Sequence, residues 1–149
     1  MATQDITRIL IRTAQSGDIP NIARLIQPFV ADGKLLLRTY NELDELLPNF
    51  FVAALDGEII GCAALEIYSP KLAEIRSLAV AVSAQGLGVG KMLVNACLDR
   101  AHTNNVYEVM AITSSDGFFQ SCGFDYTLPG EKRALFIQTR ETFNRDTGE

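Results

Sequence analysis

The 149-residue chain contains no tryptophan, one histidine and three cysteines. Cys62, Cys97 and Cys122 are odd in number and widely spaced, with no C-x-x-C pair, so neither a disulfide framework nor a zinc site is expected. A Ser-His-Asp or Cys-His engine would have to use His102, which falls late in an apparent helix. No apolar run approaches the ~20 residues of a membrane span. The start, Met1-Ala-Thr-Gln-Asp, lacks a basic stretch leading into an apolar one, so the expectation is a cytoplasmic protein. Basic residues are also scarce. The formal net charge is -5, which argues against nucleic acid as a partner, because phosphate neutralisation needs basic patches. What remains is the composition of one soluble domain spanning 1–149, with 48% hydrophobic and 21% charged residues.

Hydrophobic periodicity divides the chain into short elements. Residues 8–13 read as a strand. A helix follows Asp18, with Ile19, Ile22, Ile26 and Val30 recurring at helical spacing, and Gly33 stops it. Thr39 and Glu42 match a capping box, and Pro48 ends that second helix. Residues 50–55 and 58–68 read as a hairpin around Asp56-Gly57, and Ser69-Pro70 breaks the return strand. Residues 72–82 form a further strand, 90–102 a helix, 107–112 a strand and 116–122 a short helix. Residues 124–127 and 135–139 read as a closing pair of strands. The order implies an α/β (α+β) protein, a mixed sheet with helices on both faces.

The segment Gln85-Gly86-Leu87-Gly88-Val89-Gly90-Lys91 joins a strand to an amphipathic helix. Glycine in a helix costs about 1 kcal/mol against alanine, so three within five residues call for a cause. One is a plain tight loop, though a single glycine would suffice for that. The other is close backbone approach to an anion at a helix N-terminus, with pyrophosphate the natural guest. A Walker A loop fails because Gln85 and Met92 stand where Gly and Ser/Thr are needed. A Rossmann fingerprint fails because Lys91 stands where its third glycine belongs.

The segment resembles motif A of the GNAT superfamily, Q/R-x-x-G-x-G/A, through Gln85, Gly88 and Gly90. Phe118-Phe119-Gln120-Ser121-Cys122-Gly123-Phe124 is similar to the same family's F-Y-x-x-x-G-F. The resemblance runs over residues 8–140 and implies the GNAT fold, a mostly antiparallel sheet with splayed central strands. It implies acetyl-CoA as donor, its pantetheine arm against Leu78, Ala79 and Val80 and its pyrophosphate on the amides from Gly86 through Leu87, Gly88, Val89 and Gly90 to Lys91. The Lys91 side chain either adds charge there or is simply solvated. Phe119 occupies the position where many members carry a tyrosine that protonates the leaving thiolate, which leaves Tyr107, Tyr126 or water to protonate it. Thr113, Ser114 and Ser115 stand near the place of the family's common asparagine.

Acetyl transfer needs a neutral amine, and for a lysine-like amine deprotonation at pH 7 costs about 4 to 5 kcal/mol. Glu74, inside an otherwise apolar strand, is the candidate general base, and the resemblance agrees, since many members carry a glutamate there. An ion pair with Arg76 or a lysine at a sheet edge is the alternative. Period two puts Glu74, Arg76, Leu78 and Val80 on one face. The chain is most similar to the acetyltransferase domain of N-acetylglutamate synthases. The shared features are Arg38-Thr39, the Ile60-Gly61-Cys62-Ala63-Ala64-Leu65 run, Ala73-Glu74-Ile75 and Pro129-Gly130-Glu131-Lys132-Arg133. That resemblance implies an amino acid such as glutamate as acceptor, with Arg38, Cys62, Arg76, Lys132 and Arg133 as acceptor-site candidates. Guanidinium groups suit carboxylates bidentately. Acetylation of a protein N-terminus or lysine, and a sensor that binds acetyl-CoA without turnover, stand as alternatives. A homodimer through the last strands is a further expectation.

Overall fold

The computed structural model describes residues 8–139. Five strands, β1 (Leu10–Thr13), β2 (Phe50–Leu55), β3 (Glu58–Ser69), β4 (Leu72–Val80) and β5 (Glu108–Met110), form one sheet in sequence order. Neighbours are antiparallel except β4 and β5, which are parallel. The crossover between those two carries helix α3 (Val89–Thr103), as parallel strands require. Helices α1 (Ile19–Ala31) and α2 (Tyr40–Leu46) pack on the opposite face, and α4 (Asp116–Ser121) follows β5.

Alternation along the strands builds two cores. Phe51, Ala53, Ala63, Leu65, Ala73 and Ile75 pack with Val89, Leu93, Val94 and Cys97 of α3. Val52, Cys62, Ala64 and Ala79 pack with Ile22, Ile26 and Val30 of α1 and Leu43 of α2. The sheet is covered on both faces, as the pattern predicts. Asp56 and Gly57 both have positive φ, 52° and 81°, the type I′ geometry that suits a two-residue hairpin. The Thr39 hydroxyl accepts from Glu42 N at 3.1 Å while Glu42 Oε1 accepts from Thr39 N at 3.2 Å, closing the expected capping box. Asp18 precedes α1 but does not cap it. Its carboxylate turns back to Gln15 N at 2.7 Å and to both Arg12 Nη atoms at 2.7 and 3.0 Å.

Several elements differ from the sequence reading. β1 starts at Leu10, two residues later than expected. β4 stops at Val80, and the chain folds into a 3-10 turn over Val82–Ala84 with Val82 facing solvent. β5 covers only Glu108–Met110, because β4 leaves it after Glu74. No strand forms over 124–127 or 135–139 among the described residues. Leu135, Phe136 and Ile137 are instead 92, 75 and 87% exposed. An apolar run supplies strand propensity, but a strand also needs an edge to pair with. The closing strands through which a homodimer was expected are therefore not formed in this region.

The decisive irregularity lies in β4. Arg76 pairs with Ala64 and Ala79 with Cys62, so Ser77 and Leu78 together oppose Ala63. Ser77 takes φ 55°, a left-handed conformation that costs an L-residue roughly 1–2 kcal/mol. The Cys62 thiol donates to the Ser77 carbonyl at 3.3 Å. This bulge inverts the face count. Leu78 and Val80 pack toward the α3 core, with Ala73 and Ile75. Glu74 and Arg76 alternate with Ala73 and Ile75 and so lie on the α1/α2 face, with Ala79. The single face predicted for Glu74, Arg76, Leu78 and Val80 does not exist, because an extra residue shifts the period-two alternation by one.

Candidate active site

The bulge turns β4 away from β5, whose pairing covers only Leu72, Ala73 and Glu74. From Ile75 to Val80 the β5-facing edge of β4 carries backbone donors and acceptors without a strand partner, a template for an extended, amide-bearing guest. The opening between the strands is part of a cleft of about 1330 Å³. That exceeds the ~300–1,000 Å³ of common small-molecule pockets and suits a long ligand together with a second reactant.

One end of the cleft is an anion cradle. Gly86 and Gly88 have φ of 85° and 83°, and Gly88 is the N-cap residue of α3. The left-handed turn at Gly88 starts the helix so that its first-turn amides, which have no intrahelical acceptor, face the cleft. Gly90 serves a different purpose. A Cβ there would lie 3.1 and 3.2 Å from the Phe118 ring, so its absence lets α4 close on the helix N-terminus. Gln85 Nε2 donates to the Val80 carbonyl at 3.2 Å, tying the loop to the strand. Leu78, Ala79, Val80, Gln85, Gly86, Gly88, Val89, Gly90, Lys91 and Phe119 all line the cleft. Leu87 does not, and packs on the α3 core instead.

The other end is ionic. Glu74 is 7% exposed and accepts from the Tyr68 hydroxyl at 2.6 Å. Arg76 Nη1 donates to Glu66 Oε2 at 3.0 Å and to Tyr68 Oη at 3.3 Å, and its Nε lies 4.0 Å from Glu74 Oε1. Burial opposes the Arg76 charge, but Tyr68, Glu74 and Glu66 outweigh it and hold the guanidinium above its ordinary value. Burial, then the bond to Glu74, pushes Tyr68 up to about 12. Tyr68 as a residue is 48% exposed, while its hydroxyl points into this network. Across the cleft, Arg38 Nη1 bonds Glu42 Oε2 at 3.3 Å, and its buried Nε has no partner among the described residues. An unsatisfied buried donor is costly, which sets this atom apart from the paired Nη1.

Glu74, Arg38 and Arg76 therefore meet in one cleft, whereas the other acceptor-site candidates stand outside it. Cys62 is fully buried behind the bulge, where its role is to hold Ser77, and burial raises its thiol to about 12. Lys132 lies on the surface, bonded to Glu108 at 2.6 Å, and Arg133 is exposed. Tyr107 and Tyr126 are exposed too and do not line the cleft, and Tyr126 bonds Asp116. Phe119 is a core ring, edge-on to Phe118 and Phe124 at 5.2 Å each. The apolar run from Gly33 towards Arg38, part of the resemblance to the synthases, forms one wall of the cleft, whereas Tyr68 carries no signal in the sequence. The cross-strand pairing that sets Tyr68 beside Glu74 depends on register, which has no local signal.

An open strand edge leading to a helix N-terminus at one end, and a carboxylate with a free guanidinium donor at the other, define an acyltransferase that uses a pyrophosphate-bearing carrier. Residues 19–124 match the acetyltransferase (GNAT) family, and the chain belongs to it. An uncharacterized N-acetyltransferase of Chlorobaculum tepidum is 36% identical over 76% of this chain and 74% of its own length. An amino-acid acetyltransferase of Neisseria meningitidis is 36% identical over 78% of this chain. The N-acetylglutamate synthase of Neisseria gonorrhoeae, crystallised with coenzyme A and N-acetyl-glutamate, superimposes with a TM-score of 0.70 at 35% identity over 76% of this chain. The chain spans about 27% of the length of either Neisseria protein. Enzymes of this family use acetyl-CoA as acetyl donor. The unpaired β4 edge and the Gly86–Lys91 amides suit its pantetheine arm and pyrophosphate, and the cleft has room for both.

Proposed function

We propose that the chain transfers the acetyl group of acetyl-CoA to the α-amino group of an amino acid such as glutamate, with Glu74 as general base. The observation that carries this reading is the pairing, in one cleft, of the buried Glu74 carboxylate with the unpartnered Arg38 Nε. A carboxylate of the acceptor satisfies Arg38, which orients the amine toward the thioester. Glu74, on the face of β4 away from Leu78 and Val80, receives the amine proton. Attack of the neutral nitrogen on the thioester carbonyl forms the C–N bond of a tetrahedral intermediate. Its collapse breaks the C–S bond, and the second nitrogen proton passes through water to the leaving sulfur, giving the amide and the CoA thiol. The amino-acid acetyltransferase and N-acetylglutamate synthase relatives support the acceptor class. Arg76 is already bound to Glu66 and Tyr68, so it shapes the network, and Arg38 takes the carboxylate.

The test is CoA-thiol release across a panel of amino acids, amines and peptides. Turnover with glutamate, reduced by Arg38→Ala mainly through KM and by Glu74→Gln mainly through kcat, supports the reading. Turnover confined to peptides moves the acceptor to protein amines. Acetyl-CoA binding with no release for any acceptor refutes catalysis.

A further inference from the structure

We propose that Tyr68 and Glu66 form a proton exit that carries the proton taken up by Glu74 out of the reaction cleft into a second cleft on the same face of the sheet. The inference rests on the reading of Glu74 as general base. Glu66 and Glu74 are direct cross-strand partners of β3 and β4. Tyr68 Oη lies between them, 2.6 Å from Glu74 Oε1 and 3.2 Å from Glu66 Oε2. The two carboxylates differ in setting. The Glu74 side chain is 9% exposed and lines the main cleft. The Glu66 side chain is 30% exposed and lines a smaller adjoining cleft of about 360 Å³ with Glu42, Glu45 and Asn49, the two clefts sharing Arg38. When acetyl-CoA and acceptor fill the main cleft, water is excluded from Glu74. A proton held on Glu74 would otherwise leave only after the products depart and the cleft refills with water, which slows each turnover.

The step balances without a further reactant. Once protonated, Glu74 Oε1 changes from acceptor to donor. The Tyr68 hydroxyl turns, gives its own proton to Glu66 Oε2 and takes the Glu74 proton. One O–H bond breaks at Glu74 and one at Tyr68, while one forms at Tyr68 and one at Glu66. Glu66 then releases the proton to water. The charged groups around the relay are Arg76 on β4, Arg38, Glu42 and Glu45 across the second cleft, and Lys34 on the main cleft wall, while β5 offers only Met110 opposite Glu74. Arg76 donates to both Tyr68 and Glu66, which steadies the hydroxyl during the hop. A concerted hop also fits the Tyr68 phenol, which stays neutral throughout. Donation to a CoA thiolate, with a thiol near ~8.5, would be unfavourable by on the order of 10³-fold for a phenol at about 12.

The test uses Tyr68→Phe, Glu66→Gln and the double variant, with acetyl-CoA and L-glutamate. Each single variant is expected to lower kcat about 10- to 100-fold with the glutamate KM changed less than about twofold. Added imidazole is expected to restore part of the rate, and the double variant to be no slower than the slower single one. In the ligand-free protein, the phenol titration lost in Tyr68→Phe should move down toward the ordinary range in Glu74→Gln. An unchanged kcat overturns the relay, as do a KM effect without imidazole rescue, multiplicative losses, or a Tyr68 titration indifferent to Glu74. Any of these, with wild-type turnover intact, leaves the acetyltransferase reading standing. Absence of wild-type turnover with L-glutamate and every other panel acceptor removes both.

Discussion

Replacing Gly88 by alanine should weaken both the fold and the hold on acetyl-CoA, through the backbone alone. Gly88 has φ 83° and ψ 10°, and a Cβ there meets nothing within 4 Å, so no side-chain clash contributes. The left-handed conformation costs an L-residue roughly 1–2 kcal/mol. The lower entropy of the unfolded alanine chain returns about 0.4–1 kcal/mol. The net loss centres on about 0.8 kcal/mol and reaches at most about 1.6 kcal/mol, and the central value lowers Tm by about 2–3 °C for a chain of this size. If the helix start relaxes to avoid the strain, the first-turn amides of α3 tilt away from the pyrophosphate. A tenfold loss of affinity then removes about 1.4 kcal/mol of ligand-induced stabilisation. Thermal melts with and without saturating acetyl-CoA measure both effects. Gly88→Asn, which tolerates this conformation better, should fall between wild type and alanine. If alanine left both the apo Tm and the acetyl-CoA shift unchanged, or asparagine fell as far as alanine, the left-handed turn would not be what aims the amide row.

Three further outcomes are expected. Burial pushes Cys62 and Cys97 up to about 12, so in the native protein a thiol reagent at pH 8 should label the half-buried Cys122 first, and the other two only on unfolding, read by mass spectrometry. The Arg12 bond holds Asp18 below its ordinary value, followed by the Gln15 amide and the Arg12 charge acting against burial. Its contribution is therefore present above about pH 4 and is lost as pH falls through the depressed value. Asp18→Asn should cost about 1–2 kcal/mol in urea melts at pH 7, with the difference from wild type shrinking at low pH. Phe119→Tyr should destabilise by about 1–3 kcal/mol, because Phe119 is 7% exposed with its ring edge-on to both Phe118 and Phe124, and an added atom crowds that packing. A gain in kcat in that variant, read by CoA release, would mean that the hydroxyl reaches the thiolate despite this packing.

Much of the fold was legible because its signals are local. Helical spacing marked α1 and α3, the Thr39–Glu42 box started α2, and Asp56-Gly57 turned the β2–β3 hairpin. The glycine-rich loop announced an anion cradle because each of its glycines violates helix propensity, and the Gly-Phe downstream tied it to a family. The two last strands misled for the same reason: 124–127 and 135–139 have strand composition, but nothing in the sequence says whether an edge is free to receive them.

The sequence by itself determined the elements, the cradle and the identity of the charged residues set within apolar strands. Tertiary structure alone decided how those residues meet. One extra residue at Ser77 put Glu74 and Leu78 on opposite faces of β4 and opened the gap to β5. Cross-strand register brought Tyr68 to Glu74 and set Glu66 opposite it, and packing left the Arg38 Nε buried without a partner. Lys132 and Arg133, equally basic on paper, stayed on the surface. Periodicity and capping are encoded within a few neighbouring residues, whereas bulges, register and burial depend on contacts between segments far apart in the chain.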